Sequence, residues 1–249
     1  MQGFVFVALI LLSTLPVQRA QGQALQNVVV SYPSKSITSF PILDTARRKG
    51  FFQQQGLNVN LVYMRGGLDI KAVVTGDADF GTATTTAITA FLAGAPLKIV
   101  CSYNSHVDQV LYSQNKYRTI TQLKGQPIGS VNPGGLVDML LSMGGTPERY
   151  QALKAGNIAA SMLSSPHSFR AEKDGFYRLA ATRDYVDVSG TAVVTHVERL
   201  KKQPDKVKKF IRASLRSMSY MRDNRSETVQ MIMREFAMDQ EIAALAYSR

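Results

Sequence analysis

From residue 27 onward the chain alternates short apolar runs with amphipathic stretches. Residues 27–32 (Asn-Val-Val-Val-Ser-Tyr) read as a strand, and Pro33-Ser34-Lys35-Ser36 ends it in a polar loop. Residues 40–49 have helical spacing, and Gly50 stands where a helix stop is wanted. Residues 57–61 (Leu-Asn-Val-Asn-Leu) alternate apolar and polar with period two, the mark of a half-buried strand. A short helix over 68–75 ends at Gly76, and residues 78–81 form a short strand and turn. A helix over 84–93 closes at Gly94, and residues 97–103 form a further strand. Strands alternating with helices predict an α/β fold with a mostly parallel sheet.

The second half repeats the plan. A new strand begins in residues 123–130 and leads through Val131-Asn132-Pro133-Gly134-Gly135 into a helix near Leu136. Residues 72–79 (Ala-Val-Val-Thr-Gly-Asp-Ala-Asp) echo residues 152–159 (Ala-Leu-Lys-Ala-Gly-Asn-Ile-Ala): a helix end, a capping glycine, then a short strand. The simplest account is two lobes of similar plan whose loops face one cleft. Val193-Val194-Thr195 predicts a strand crossing back to the first lobe. The helix opening at Pro204 carries Val207, Phe210, Ile211, Ser214, Leu215, Met218 and Met221 as one buried stripe. Lys206, Lys208, Lys209, Arg212 and Arg216 fall off that stripe, on a solvated face. More helix follows over 226–236.

The amino terminus has a different pattern. Residues 4–15 are continuously apolar, too short to cross a bilayer comfortably, and Pro16 breaks the run. Ala20-Gln21-Gly22 and Gly22-Gln23-Ala24 both put small residues where a signal peptidase reads, so residues 1–24 are expected to be an export signal cleaved near Gly22 or Ala24. No Lys or Arg precedes the apolar run, a departure from the usual signal-peptide pattern that leaves the true start open. Cleavage after Gly22 removes one charge, Arg19, taking the net charge from +11 to +10.

Composition narrows the chemistry. The 249 residues are 45% hydrophobic and 19% charged, an ordinary globular balance. Much of the basic excess lies between Arg199 and Arg216, where the one aromatic, Phe210, falls on the buried stripe and not among the charges, so nucleic acid is not an expected partner. The single cysteine, Cys101, excludes an intrachain disulfide and is expected buried in a strand. His106, His167 and His196 have no metal-ligand spacing, and no cofactor is called for. No nucleophile, base and orienting group come together in sequence, so no catalytic residue is assigned.

What remains is hydroxyls and backbone amides at the starts of helices. In α/β sheets, ligands bind beyond the carboxyl ends of the strands. The loop 32–36 offers Ser34. The loop 81–86 (Gly-Thr-Ala-Thr-Thr-Thr) offers Thr82 and Thr84; capping of its own helix explains one threonine there, not four. The loop 130–135 offers Ser130, Asn132 and the N–H groups of Gly134 and Gly135, without the Lys-Ser/Thr ending of a P-loop. Ser164 follows the echoed strand. Together these suit a small anion.

Four motifs in order carry a resemblance. Residues 46–59 (Ala-Arg-Arg-Lys-Gly-Phe-Phe-Gln-Gln-Gln-Gly-Leu-Asn-Val), Gly76-Asp77-Ala78-Asp79-Phe80-Gly81, Leu123-Lys124-Gly125, and residues 149–156 (Arg-Tyr-Gln-Ala-Leu-Lys-Ala-Gly) resemble the periplasmic substrate-binding proteins for nitrate, sulfonates, taurine and thiamine precursors. The resemblance implies a two-lobed type II binding-protein fold, with lobe one over 25–111, lobe two over 112–190 and a return to lobe one plus C-terminal helices over 191–249. It also implies that lobe two is shortened by about one helix–strand unit, between Asp138 and Gly144. The function it implies is delivery of a small-molecule ligand, as a monomer, to the permease and ATPase of an ABC importer. Two other classes stay open: a thiamine-pyrimidine-synthase-like enzyme on the same scaffold, and the sensor domain of a receptor. The synthase relatives use a cysteine-rich segment that this chain lacks.

Overall fold

The computed structural model describes residues 24–65, 67–104, 107, 109–129, 145–185 and 190–248. The first half builds β1 (Gln26–Tyr32), α1 (Phe40–Arg48), α2 (Phe51–Gln54), β2 (Leu57–Tyr63), α3 (Leu68–Thr75), β3 (Phe80–Gly81), α4 (Thr84–Leu92) and β4 (Leu97–Ser102). A second set follows: β5 (Val110–Ser113), β6 (Ile128–Gly129), α5 (Thr146–Lys154), β7 (Ala160–Leu163), α6 (His167–Lys173) and β8 (Tyr177–Ala181). The chain then returns through β9 (Ala192–His196) into α7 (Val197–Lys202), α8 (Pro204–Asp223), α9 (Arg225–Phe236) and α10 (Gln240–Ser248).

Two sheets result, one in the order β2-β1-β3-β9-β4 and one in the order β6-β7-β5-β8. Within the first sheet the expectation of a mostly parallel sheet holds only for β2, β1 and β3. The chain leaves the first sheet through β4 and comes back through β9. An outgoing and a returning strand lying side by side must run antiparallel, and they pair from Leu97↔His196 to Ser102↔Ala192. In the second sheet β5 is antiparallel to both its neighbours, and β6 runs parallel to β7.

The first sheet's core is aromatic. Phe210 of α8 stacks on Phe80 at 4.2 Å and on Phe52 at 5.2 Å, and all three are fully buried. Val28 and Val30 of β1 fill the same face, as their alternation requires. Gly81, at the end of β3, is a close-approach residue: a Cβ there would meet Val73 Cγ2 at 3.0 Å and Ile70 Cδ1 at 3.1 Å. Gly129, at the end of β6, is under the same constraint from Ile158 and Ser161, both 2.9 Å from such a Cβ. Each sheet therefore brings one two-residue strand, ending in glycine, to its loop edge.

Three sequence expectations change. Lys206 is not on a solvated face. It is 8% exposed and donates to Asp79 Oδ1 at 3.0 Å, beside the Arg199 guanidinium, which pairs with the same oxygen. The other carboxylate oxygen of Asp79 accepts the Val29 N–H at 2.8 Å, so one aspartate ties α7 and α8 to β1. Leu215 leaves the buried stripe at 48% exposure, while Ala213 and Ser217 join it. Cys101 is on a strand but only half-buried, because β4 is the edge strand of its sheet. The C-terminal helices pack on α6, which follows β7 of the second sheet: Phe169 of α6 is buried with Val229, Ile232, Met238 and Ile242, and Lys173 pairs with Glu241 at 2.6 Å. No helix among the described residues is long and apolar enough to cross a membrane.

Candidate functional site

The carboxyl ends of β1, β2 and β3 feed loops into the starts of α1, α3 and α4, and the end of β7 feeds α6. The first group of loops touches the start of α5 and the segment ahead of β9. Arg65, after β2, lies 3.7 Å from Glu148 in the first turn of α5. Thr38, before α1, shares a 2.6 Å hydroxyl contact with Thr191, just ahead of β9.

Of the residues expected at the site, Ser34 is exposed in the β1–α1 loop, and its carbonyl accepts the Ser36 N–H at 2.8 Å. Thr82 is buried. Its N–H donates to the Ser31 carbonyl at 3.2 Å, and its hydroxyl has no hydrogen-bond partner among the described residues. Thr84 is also buried, but its hydroxyl accepts the Ala192 N–H at 2.7 Å and so anchors the returning strand. It does not cap its own helix, whose N-cap is Ala83 with no side-chain cap bond. Ser164 shares a 3.2 Å contact with Thr146, to which the Arg149 guanidinium donates at 3.1 Å. Ser130, Asn132, Gly134 and Gly135 lie outside the described residues.

Arg149 is almost fully buried, and two of its nitrogens donate to the Met162 carbonyl at 3.2 and 3.3 Å. Burial lowers its pKa to about 10, which leaves it charged at neutral pH. It fixes Thr146 and, through it, Ser164. His167 opens α6 against the Tyr150 ring at 5.3 Å, and its Nδ1 has no hydrogen-bond partner among the described residues. Burial lowers its pKa to about 4, Arg170 and Arg149 act in the same direction, and Glu148 opposes them. The imidazole is therefore neutral at pH 7.

Sequence reasoning passed over several groups here. Arg65 donates from Nε to the Tyr63 hydroxyl at 2.6 Å. Tyr63 and Tyr32 end their strands in register, with rings 5.7 Å apart. Asp69 sits fully buried in the first turn of α3, and among the described residues neither carboxylate oxygen has a partner in good hydrogen-bond geometry, the nearby amides of Ile70 and Asp69 included. Burial raises its pKa, and the amides of Ile70 and Asp69 offset part of the rise. The available signal was the cation Arg65 in a loop between a strand and Gly66-Gly67.

The site offers hydroxyls, a buried arginine and an exposed arginine. Among the described residues no cluster of His, Cys, Asp or Glu can hold a metal ion. Two cavities lie elsewhere. One of about 270 Å³ is lined by Tyr112, Glu172, Arg178 and Arg183. One of about 290 Å³ lies between α4 and β4. Neither contains a residue expected at the site.

The family model described as NMT1/THI5 like matches residues 38–228. No curated protein matches the chain by sequence. Among solved structures, the alkanesulfonate-binding protein SsuA of Xanthomonas axonopodis pv. citri, bound to MOPS, superposes with a TM-score of 0.69 at 15% identity, covering 89% of this chain and 83% of that one. The periplasmic aliphatic sulphonate binding protein SsuA of Escherichia coli gives 0.68 at 16% identity, over 89% and 78%. The periplasmic nitrate-binding protein NrtA of Synechocystis PCC 6803 gives 0.66 at 18% identity, over 88% and 69%. These likenesses establish a shared periplasmic-binding-protein fold.

Proposed function

This chain belongs to the NMT1/THI5-like family, and from that premise we propose that it is an extracytoplasmic solute-binding protein that captures a small organic or inorganic anion and hands it to the permease and ATPase of an ABC importer. In this reading the two sheets are the cores of two lobes that close on the ligand. The chain is exported, its signal peptide is cleaved near Gly22 or Ala24, and it works as a monomer without a cofactor.

What supports the reading is that hydroxyls stand in loops that follow strands of both sheets. Ser34 and Thr82 follow β1 and β3 of the first sheet and Ser164 follows β7 of the second, and Ser164 contacts Thr146 in the same first turn of α5 whose Glu148 faces Arg65. Thr84, Ser130, Asn132, Gly134 and Gly135 are proposed to complete the set. Hydroxyls and N–H groups at helix starts hold an anion without placing a full opposite charge on it, and three proteins of the same fold are named for sulfonates and nitrate.

A thermal-shift screen of the chain against nitrate, methanesulfonate and taurine tests it, followed by calorimetry on variants. Losing one hydrogen bond to a charged ligand costs about 1.5–3 kcal/mol, so Thr82→Ala weakens binding at least tenfold, and Lys208→Ala, on the exposed face of α8, leaves it unchanged. Equal weakening by both would move the binding surface to the basic helix.

A further inference from the structure

At the loop edge of the first sheet, three aromatic rings run side by side. Phe40 opens α1 and is buried; its ring lies 5.6 Å from that of half-buried Tyr32. Tyr32 in turn lies 5.7 Å from Tyr63, which is 49% exposed. The row follows from the register, since β1 and β2 pair in parallel and end on Tyr32↔Tyr63. A cation stands at each end. Lys35 Nζ is 4.9 Å from the centre of Phe40, and the Arg65 guanidinium carbon is 5.8 Å from the centre of Tyr63.

The two cations are not equivalent. Lys35 is tied to Glu235 of α9 at 3.4 Å. Arg65 is aimed by the Tyr63 hydroxyl and meets Glu148 only at 3.7 Å, with both side chains more than half exposed. Such a pair is weak, so the carboxylate of a ligand, or its sulfonate, competes with it readily. Glu148 thus marks where an anionic group from the direction of the second sheet meets Arg65. Beside that point lies the half-exposed ring of Tyr63, against which a planar ring carrying the anionic group would pack. Offset or tilted ring pairs contribute beyond their buried area, and guanidinium matches the geometry of carboxylate and sulfonate oxygens.

We propose that Tyr32, Tyr63 and Arg65 form a subsite for the ring and charge of an aromatic anion, an aryl sulfonate or aryl carboxylate, so that the solute this chain takes is aromatic. The proposal rests on the solute-binding reading above and narrows it to one class of ligand.

The probes are benzenesulfonate and methanesulfonate, which share the charged group and differ in the ring, titrated calorimetrically into the full chain. Benzenesulfonate binds roughly 3- to 10-fold more tightly, the range that one ring pairing supplies. Tyr63→Leu brings the two affinities together, and its thermal melt stays at the parent value because Tyr63 is half exposed. Arg65→Gln weakens both probes about tenfold or more and keeps their ratio. Glu148→Gln, which removes the competing carboxylate, tightens both by up to about fivefold. An unchanged ratio in Tyr63→Leu, equal affinity of the parent for the two probes, or no effect of Arg65→Gln overturns the subsite. If methanesulfonate binds as tightly as benzenesulfonate and Thr82→Ala weakens both, the subsite fails and the solute-binding function stands. If neither probe binds, the subsite falls, and the solute-binding function falls with it only if nitrate and taurine also fail to bind.

Discussion

Thr82, Thr84 and Ser164 carry the same chemistry, and the fold puts them to different uses. Thr84 spends its acceptor on the Ala192 N–H, and Ser164 is held by Thr146 beneath Arg149. The hydroxyl of Thr82 has no partner among the described residues. Residue type and spacing revealed the hydroxyls but not their partners, because Ala192 lies 108 positions from Thr84. The same blindness hid Lys206, whose carboxylate partner is 127 positions away. His167 gives a test at this scale. Its folded pKa of about 4 lies below the ordinary value near 6.5, so the unfolded chain binds the proton more readily between those values. Stability is complete above about pH 6.5 and falls as pH drops toward 4, by up to about 3 kcal/mol from this group. His167→Gln removes that component, so thermal melts of parent and variant should converge as pH falls from 7 to 4. Parallel curves would show that the imidazole is not buried as described.

Elements with a long period or a glycine stop were legible. The helix from Pro204 runs to Asp223, and Gly76 and Gly94 follow α3 and α4 with φ of 90° and 92°. The single turn of α2, the strands β5 and β8, and α10 escaped notice. β5 and α2 have four residues each, too few to display a period. β8 (Tyr-Arg-Leu-Ala-Ala) is an edge strand with mixed burial. Periodicity also misjudged Leu215, since α1 and α2 cover α8 over a narrower face than its apolar stripe. Packing between elements centres on Phe210, held between Phe52 and Phe80. Phe210→Ala should cost about 3–5 kcal/mol, read as a shift in urea midpoint at unchanged slope. A loss below about 1 kcal/mol would mean that the stack does not hold α8 to the sheet.

At the scale of the molecule, the order of the four motifs was more informative than any one of them. It pointed to the binding-protein fold that the structural comparisons share. The antiparallel return of β9 beside β4 was not legible, because the direction of a strand depends on where the chain re-enters the sheet. Nor was the aromatic row, which needs the register of β1 with β2. The central claim is capture without chemistry: one solute held between two lobes and released as it entered. The most direct measurement is calorimetric titration of the chain with benzenesulfonate, followed by proton NMR of the ligand recovered after prolonged incubation. The account predicts one site per chain and a spectrum identical to that of the starting ligand. A new set of resonances growing with time, or a chain that binds neither this anion nor a smaller one, would contradict it.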